Sequence, residues 1–544
     1  MTHPKLLQAM FRPEFYPHRP EHIELIQTHI SYIFLAGDYV YKIKKAVDFD
    51  FLDFTTIERR RFYCYEELRL NRRLAPDIYL DVLEIGEDAV GNIVLGKGER
   101  VVDYAVLMKK LPGDRMLKTL LQHRKVDLPI MDAVARKLSH FHAHAATGGK
   151  IDEIGGVETI HRNHDENFEE TRNYINITIP EHQYRFIRDY AYDFMARHHN
   201  LLLKRVQDHK IRDCHGDLHL DHICIADPAT RRGTANGPGN DYSPDDIIIF
   251  DCIEFNERFR YEDVASEVAF LAMDLDYNGH AGYADTFVSA YIGHSDDREI
   301  GSLQNFYKCY YAYVRGKVIS FRLGESSVTP EERAEEIKAA SRYFDLAYTY
   351  AARLEKPALV LMAGLTGTGK SVRADSLAPR IGAEIIRTDI LRKEMLHMAP
   401  AERHAEAFGT GIYREEVTRK TYDKAIELAS QKLTEGKSII IDASYRSRAD
   451  RQRALAAAER LKADFFIIEC TCPENIIRKR LDMRTFDKGE ASDGRWEIYL
   501  AQKEAFERIT EIPEDSHIII DTSLTPEECT YKTLQKIKHF PVAP

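Results

Sequence analysis

The chain has few cysteines and no long apolar run, and both shortages exclude whole classes of protein. Its eight cysteines are scattered over 544 residues, which fits neither a dense disulfide framework nor a paired C-x-x-C zinc layout. No apolar stretch approaches the length of a membrane span, and the N-terminal residues lack the apolar core of a signal peptide. We therefore expect a soluble, cytoplasmic protein without a membrane partner.

An excess of positive charge is also missing. Lysine and arginine number 76 against 87 acidic residues, so the formal net charge is -11. This balance argues against a broadly basic surface for nucleic acids or lipid headgroups. A long nucleic acid is not expected as a partner, whereas a short 5'-hydroxyl end in a local basic pocket remains an alternative.

The length exceeds the size at which a single hydrophobic core stops growing, so at least two domains are expected. The first hundred residues predict a small antiparallel sheet interrupted by a helix at 55–75. Two of its strands are predicted within 31–45, and further strands follow at 78–85, 92–96 and 101–111. Helical periodicity then dominates to about residue 354. From Pro357 the pattern changes to five apolar strands separated by helices, which predicts a parallel sheet covered on both faces. These predicted strands span 358–364, 383–387, 438–442, 464–470 and 517–521.

The segment GLTGTGKS fills the pattern G-x-x-x-x-G-K-[ST] between the first of these strands and a helix. Its glycines allow backbone N–H groups to point at phosphate oxygens, and the helix N-terminus adds positive potential. The pattern predicts a site for ATP and Mg²⁺, in which the lysine reaches the β- and γ-phosphates and the serine holds the metal. The residues concerned are Gly364, Gly367, Gly369, Lys370 and Ser371.

With these motifs, residues 357–544 resemble the small P-loop kinases that include gluconate kinase, zeta-toxin type kinases and polynucleotide 5'-kinase. Within IIRTDILR, the resemblance implies that Asp389 accepts the proton of the attacking hydroxyl and that Arg392 binds the acceptor. A simpler alternative is that Asp389 caps the following helix. In IIIDASYRSR, Asp442 would orient Mg²⁺.

The segment CPENIIRKRLDMR resembles the lid that closes over ATP in these kinases. Arg480 and Arg484 lie one helical turn apart and would stabilise charge on the transferring phosphoryl group. The alternative is an ordinary solvated helix face. The resemblance implies an α/β P-loop fold with a five-stranded parallel sheet and a lid.

Two further segments, CHGDLHLDHICI and DDIIIFDCIEFN, place Asp217 after a helix and Asp251 at the end of an apolar strand. The pair resembles the catalytic loop and metal-binding Asp of the aminoglycoside phosphotransferase and choline kinase group. The resemblance implies that Asp217 reaches the acceptor hydroxyl and that Asp251 holds Mg²⁺ against the phosphates. The resemblance implies an α+β bilobal, protein-kinase-like domain over 1–350, with a small lobe at 1–110 and a helical lobe at 111–350.

The same resemblance gives Lys42 a contact with the α- and β-phosphates and makes Glu67 its partner. Lys44 projects to the same strand face as Lys42, and Glu66 adjoins Glu67, so each assignment has an alternative. Where this group has an Asn that binds metal, this chain has His222, and the resemblance implies that His222 is a metal ligand. The chain also lacks an evident Gly-rich loop to cover the nucleotide.

The histidines of this segment also raise a zinc alternative, which we disfavour because no matching set of carboxylate and histidine ligands appears elsewhere. Two interpretations of residues 1–350 stay open: an active kinase, and a pseudokinase or ligand-sensing module. The whole chain is predicted to be an ATP-dependent phosphotransferase acting on hydroxyls of small molecules. The sequence indicates neither the acceptor nor the oligomeric state.

Overall fold

A computed structural model of the chain describes residues 4–49, 52–226, 242–324, 328–398, 409–484 and 495–540. By internal contacts the chain divides into two compact units. One comprises Met1–Asn173 with Asp193–Ala339, and the other comprises Tyr174–Tyr192 with Ala340–Pro544. The predicted division into 1–350 and 357–544 stays a prediction. Two helices, Glu181–Arg197 and Pro330–Ala352, each have residues in both units.

The first unit contains a six-stranded antiparallel sheet. Its strands are β1 (Ile23–Gln27), β2 (Ser31–Ala36), β3 (Tyr39–Lys44), β6 (Tyr79–Glu87), β7 (Ile93–Leu95) and β8 (Arg100–Lys109). They pair in the order β1-β2-β3-β8-β6-β7. Helix α2 (Ile57–Asn71) starts at Thr56, whose hydroxyl accepts a hydrogen bond from the Arg59 N–H. Cys64 and Leu68 of this helix pack in one buried cluster with strands of the sheet. The first strand was not predicted, and the others were.

The other elements up to residue 352 are helices and short strands. The remaining helices up to residue 352 are α1 (Pro4–Met10), α3 (Leu117–Gln122), α4 (Leu128–His144), α5 (Lys150–Ile154), α6 (Val157–Thr171), α7 (Glu181–Arg197), α8 (His199–Gln207), α9 (Val264–Tyr277), α10 (Ala281–Ser295), α11 (Ile300–Phe321) and α12 (Pro330–Ala352). The short strands are β4 (Asp48–Phe49), β5 (Leu52–Asp53), β9 (Ile211–Asp213), β10 (Ile223–Ile225), β11 (Ile247–Ile249) and β12 (Tyr261–Asp263). Strand pairs β10–β11 and β9–β12 are antiparallel and flank the loops that carry Asp217 and Asp251.

The second unit contains a five-stranded parallel sheet. Its strands are β13 (Ala358–Ala363), β14 (Ala383–Arg387), β15 (Ser438–Asp442), β16 (Asp464–Thr471) and β17 (His517–Asp521). They lie in the order β14-β15-β13-β16-β17, and every pair is parallel. Its helices are α13 (Lys370–Ile381), α14 (Thr388–Met395), α15 (Glu415–Thr434), α16 (Arg448–Arg460), α17 (Glu474–Arg484), α18 (Trp496–Glu504) and α19 (Pro526–Ile537). Every residue of β13 is buried, as expected for a central strand covered on both faces.

The predicted two-domain fold class is confirmed by this architecture. The N-terminal part combines a small antiparallel sheet and one packed helix with a larger helical lobe, and the C-terminal part is an α/β parallel sheet. The connection from β13 to α13 and the end of β15 meet at the carboxyl edge of that sheet, since Met362 is in register with Asp442. Ligands of open parallel sheets bind at this edge.

Candidate active sites

The phosphate loop joins β13 to α13, and three of its glycines have positive φ angles. The φ values are +127° at Gly364, +80° at Gly367 and +84° at Gly369, a region that residues with a side chain rarely adopt. A Cβ atom on Gly364 would lie 2.5 Å from the carbonyl oxygen of Cys470. The loop therefore needs glycine for its backbone path as well as for the open space that a phosphate group requires.

We predict that Gly364→Ala destabilises the P-loop domain by about 2 kcal/mol or more, because backbone strain and a clash with backbone atoms add together. Gly436→Ala is the matched control, since Gly436 also has a positive φ of +82° but has no heavy atom within 4 Å of the place that a Cβ atom would take. Strain alone should cost about 1 kcal/mol there. Urea unfolding of both variants measures the difference, and equal losses would show that the close packing of the loop contributes nothing.

Lys370, Ser371 and Asp442 meet at the head of the phosphate loop. The Ser371 hydroxyl lies close enough to the Asp442 carboxylate to lower its pKa, and the Lys370 ammonium donates to the carbonyl oxygen of Leu365 over 2.9 Å. Burial raises the pKa of Asp442, and the nearby Asp389 carboxylate raises it further, against the lowering effects of Ser371 and Lys370. The hydroxyl and carboxylate oxygens form a ligand set that suits Mg²⁺.

Asp389 lies in the first turn of α14, which begins at Thr388, and its side chain caps no helix end. The capping alternative is therefore wrong. Its carboxylate instead receives a hydrogen bond from the Arg392 guanidinium over 2.8 Å. Arg392 is buried, and its guanidinium lies 4.8 Å from the centre of the Tyr413 ring. The structure thus brings together the predicted base and the predicted acceptor ligand.

Arg480 of α17 contacts the loop after β17 by donating to the Thr522 hydroxyl over 3.1 Å and to the Thr522 carbonyl oxygen over 2.7 Å. A Cβ atom on Gly369 would lie 3.3 Å from a terminal nitrogen of Arg480. The side chain therefore lies against the phosphate loop and is not part of a fully solvated helix face. Arg484 ends α17, and its side chain falls outside the described residues.

In the first unit, Lys42 and Lys44 extend from one face of β3 to the same glutamate. Lys42 forms ion pairs with Glu67 at 2.8 Å and with Asp251 at 2.6 Å. Lys44 is fully buried between Glu67, at 2.8 Å, and Glu254. The predicted contact of Lys42 with Glu67 is present, and Lys42 is the lysine that faces the predicted metal carboxylate.

Glu66, which precedes Glu67 in the chain, has a different partner. Glu66 pairs with Arg69 on the outer face of α2 over 2.8 Å, so it is not the partner of either lysine. Glu254 was not singled out in the sequence, although it follows Asp251 by only three positions in the segment DCIEFN. Its burial raises its pKa, against the opposing effect of Lys44.

Asp251 has a φ of +63°, unusual for a residue with a side chain, and its N–H donates to the Tyr79 hydroxyl over 3.1 Å. Strained conformations of this kind persist where the surroundings hold them and are frequent at functional sites. Burial would raise the pKa of Asp251, but the Lys42 ammonium group outweighs that effect and lowers it. The carboxylate is therefore held in its charged form, as a metal ligand or a phosphate-site carboxylate must be.

The loop that carries Asp217 is held by a glutamate of α9. One oxygen of Glu267 accepts hydrogen bonds of 2.7 Å from the N–H groups of both His215 and Gly216. Its other oxygen lies 2.6 Å from Nε2 of His142. Burial would raise the pKa of Glu267, but the His142 hydrogen bond contributes to a net lowering. No sequence signal indicated these hydrogen bonds, because Glu267 lies about fifty residues after the loop that carries Asp217.

His222 lies between the two carboxylates of the site. Its Nδ1 is 2.8 Å from the carbonyl oxygen of Asp217, and its Nε2 is 3.6 Å from Oδ2 of Asp251. Burial and the adjacent His219 lower the pKa of His222 to about 4, so the ring is neutral at physiological pH. The structure therefore brings together Lys42, Glu67, Asp217, His222 and Asp251, all predicted for this site.

Comparison with known proteins gives the chain a family. Residues 359–509 match the family AAA_33, described as an AAA domain, which lies within the segment predicted to resemble P-loop kinases. Over 486 residues the chain is 30% identical to "Uncharacterized protein Rv2004c" of Mycobacterium tuberculosis, with 88% of this chain and 89% of that protein covered. The chain belongs to the family of this mycobacterial protein. Both candidate sites therefore belong to a chain whose relative matches it over nearly the full length.

Two solved structures are similar to this chain over part of its length. The gluconokinase from Sinorhizobium meliloti 1021 is 15% identical, with 34% of this chain and 93% of that chain covered at a TM-score of 0.25. The choline/ethanolamine kinase family protein from Mesorhizobium loti is 13% identical, with 63% of this chain and 99% of that chain covered at a TM-score of 0.35. Across the residues that the structure describes, no helix has the length and apolarity to cross a membrane.

Proposed function

We propose that this protein is an ATP-dependent kinase of the cytoplasm that transfers the γ-phosphoryl group to hydroxyls of small molecules. The observation that carries the proposal is the convergence of Lys370, Ser371, Asp442 and Asp389 at the carboxyl edge of the parallel sheet. A phosphate cradle, an oxygen ligand set and a neighbouring carboxylate are the parts that phosphoryl transfer requires.

In the P-loop domain, backbone N–H groups of residues 364–371 would bind the phosphates, and the charge of Lys370 would meet the β- and γ-phosphates. Ser371 and Asp442 would hold Mg²⁺, which when bound neutralises charge on the phosphates. Asp389 would accept the proton of the acceptor hydroxyl. Arg480, with Arg484 on the same helix, would stabilise charge on the phosphoryl group.

Arg392 is positioned to bind the acceptor. Its guanidinium is buried, forms an ion pair with Asp389 and lies over the Tyr413 ring. An arginine held in this way presents its remaining N–H groups in a fixed direction, which favours acceptors that carry hydrogen-bond acceptor groups near the reacting hydroxyl. A small-molecule hydroxyl compound fits this description, and a 5'-hydroxyl end of a nucleic acid is the alternative acceptor.

The N-terminal site would be a second phosphotransferase site. Lys42, oriented by Glu67, would contact the α- and β-phosphates. Asp217 would take the proton from the hydroxyl of the acceptor molecule, and Asp251 would bind the metal ion. A second function for this unit, as a nucleotide-binding pseudokinase or ligand sensor, is favoured by one observation. His222 presents a nitrogen to Asp251, and magnesium prefers oxygen ligands.

The test of the proposal is ADP release from ATP and Mg²⁺ by the full chain, measured against sugars, amino alcohols, nucleosides and 5'-hydroxyl oligonucleotides. We expect one acceptor class to accelerate ADP release beyond the rate with water alone. Asp217→Asn and Asp389→Asn, tested singly, assign that activity to one site or to both. No acceleration by any acceptor in either Mg²⁺ or Mn²⁺ would contradict the proposal.

Lys370→Ala should weaken one ATP-binding event of the full chain by about tenfold, because the lysine charge is lost where the phosphates concentrate negative charge. Calorimetric titration with a non-hydrolysable ATP analogue measures this change. Lys356→Ala, a change at an exposed lysine just before β13, is the matched control and should leave binding unaltered. Unchanged affinity in Lys370→Ala would remove the P-loop from the proposed mechanism.

A further inference from the structure

Three histidines of the segment 215–222 surround Asp217, and their hydrogen bonds determine which ring nitrogens carry protons. His215 Nδ1 accepts from the Asp217 N–H over 3.2 Å, so its Nε2 carries the proton and donates to the Phe250 carbonyl oxygen over 2.8 Å. His219 Nδ1 accepts from the Asp221 N–H over 3.3 Å, so in the neutral ring Nε2 carries the proton. Neither Nε2 atom has a lone pair to offer a metal.

His222 has the opposite tautomer. Its Nδ1 lies 2.8 Å from the Asp217 carbonyl oxygen, which can only accept, so Nδ1 carries the proton. The lone pair of Nε2 therefore faces Oδ2 of Asp251 across 3.6 Å. This separation is too long for a hydrogen bond. An imidazole lone pair next to a carboxylate oxygen at this distance leaves a place that a cation can occupy between the two atoms.

The geometry points to a mixed imidazole and carboxylate metal site, formed by Nε2 of His222 and Oδ2 of Asp251, that prefers Mn²⁺ and similar first-row transition-metal ions to Mg²⁺. Two ligand atoms bound about 2.1 Å from one cation lie roughly 3.0 to 3.5 Å apart, depending on the angle. The observed separation of 3.6 Å needs almost no rearrangement. Imidazole nitrogen suits transition metals, whereas Mg²⁺ takes oxygen ligands and retains its waters.

The neighbouring charged groups leave Oδ2 of Asp251 available to a metal ion. Lys42 pairs with Oδ1 of Asp251 at 2.6 Å, on the other oxygen of the carboxylate. The hydrogen bond from Nδ1 to the Asp217 carbonyl oxygen fixes the orientation of the ring, as such outer contacts commonly do for metal-binding histidines. This inference rests on the proposed phosphotransferase role of the N-terminal site, and it adds the class of metal that the site selects.

Electron spin echo envelope modulation of bound Mn²⁺ tests the inference without requiring turnover. The full chain is loaded with Mn²⁺ and a non-hydrolysable ATP analogue, and a coupling to ¹⁴N of a directly bound imidazole is expected. The residues proposed for the metal in the P-loop domain, Ser371 and Asp442, offer only oxygen, so Mn²⁺ bound there gives no such coupling. The spectrum therefore distinguishes the two sites within one chain.

His222→Asn should abolish the ¹⁴N coupling and lower the preference of this site for Mn²⁺ over Mg²⁺ by about tenfold or more. His219→Asn is the matched control, because the two rings lie 4.0 Å apart but the His219 lone pair is already engaged. It should retain the coupling. His222→Gln provides a second variant if His222→Asn does not fold.

Three outcomes would overturn the inference: Mn²⁺ bound without ¹⁴N coupling in the wild type, coupling that survives in His222→Asn, or coupling lost equally in His219→Asn. If bound Mn²⁺ shows the ¹⁴N coupling but no acceptor accelerates ADP release, the metal-site inference stands and the phosphotransferase role is contradicted. If the protein turns over in Mg²⁺ but bound Mn²⁺ shows no ¹⁴N coupling, the phosphotransferase role stands and the metal-site inference is contradicted. The two proposals can therefore fail independently.

Discussion

Asp389→Asn is expected to reduce phosphoryl transfer by the P-loop domain by about 10²-fold or more while ATP affinity changes little. The amide has nearly the shape of the carboxylate but cannot accept the proton of an attacking hydroxyl. The carboxylate lies beside Asp442 and pairs with Arg392, so it is close to both the metal ligands and the acceptor ligand. It does not belong to the phosphate loop itself, which is why nucleotide binding should persist.

The measurement compares kcat and KM for the acceptor in a chain that also carries Asp217→Asn, so that turnover at the N-terminal site does not contribute. Asp375→Asn is the matched control, because Asp375 of α13 also forms an ion pair with an arginine, Arg387. The Asp375 pair is partly exposed and contributes about 0–1 kcal/mol, so Asp375→Asn should unfold at nearly the wild-type urea concentration. Asp389→Asn keeps a side-chain oxygen that accepts from the buried Arg392 guanidinium, and its urea midpoint measures the cost of the lost charge. Loss of ATP binding in step with turnover would show that Asp389 is a nucleotide ligand instead of the base.

The parallel sheet and its site could be predicted because the relevant signals are local. Strands buried on both faces appear as continuous apolar runs, and ALVLMA is such a run. The phosphate loop follows it directly, and Asp442 and Asp389 lie at the carboxyl ends of two neighbouring strands. Because carboxyl ends of parallel strands meet at one edge, sequence position alone predicts that these residues converge.

The N-terminal site could be predicted only in part because its contacts join distant segments. Strand β1 was missed, since IELIQ is an edge strand with little burial and a weak pattern. The assignment of Lys42 and Lys44 needed the positions of Glu254 and Asp251, more than two hundred residues away. The tautomer of His222 depends on a backbone carbonyl whose direction no sequence pattern specifies.

Lys44→Met is expected to destabilise the N-terminal unit by about 3–5 kcal/mol. Lys44 is fully buried between Glu67 and Glu254, and its removal leaves the Glu254 carboxylate buried without a cation. Glu67 retains Lys42 as a partner at 2.8 Å, so the uncompensated charge is that of Glu254. Urea unfolding measures the loss. Lys44→Met combined with Glu254→Gln should recover much of it, because the second change removes the unpaired charge.

The loss should also depend on pH. Burial already raises the pKa of Glu254 in the folded protein, and removal of Lys44 raises it further. A carboxyl group whose pKa is higher in the folded than in the unfolded chain stabilises the fold at low pH and loses that contribution as pH rises through the folded value. Lys44→Met should therefore be less destabilising at pH 5 than at pH 8. A loss that is independent of pH would contradict this account of the buried charge.

Lys42→Met should have the opposite balance of effects, with a smaller loss of stability and a larger loss of nucleotide binding. Glu67 would keep Lys44, and Asp251 is partly exposed, so water can solvate the carboxylate that loses its partner. The Lys42 ammonium group, in contrast, faces the predicted metal carboxylate, where the phosphates of ATP would lie. Titration of an ATP analogue into chains that also carry Lys370→Ala reports on the N-terminal site. Binding that fails in Lys44→Met but persists in Lys42→Met, with both variants folded, would reverse the assignment of the two lysines.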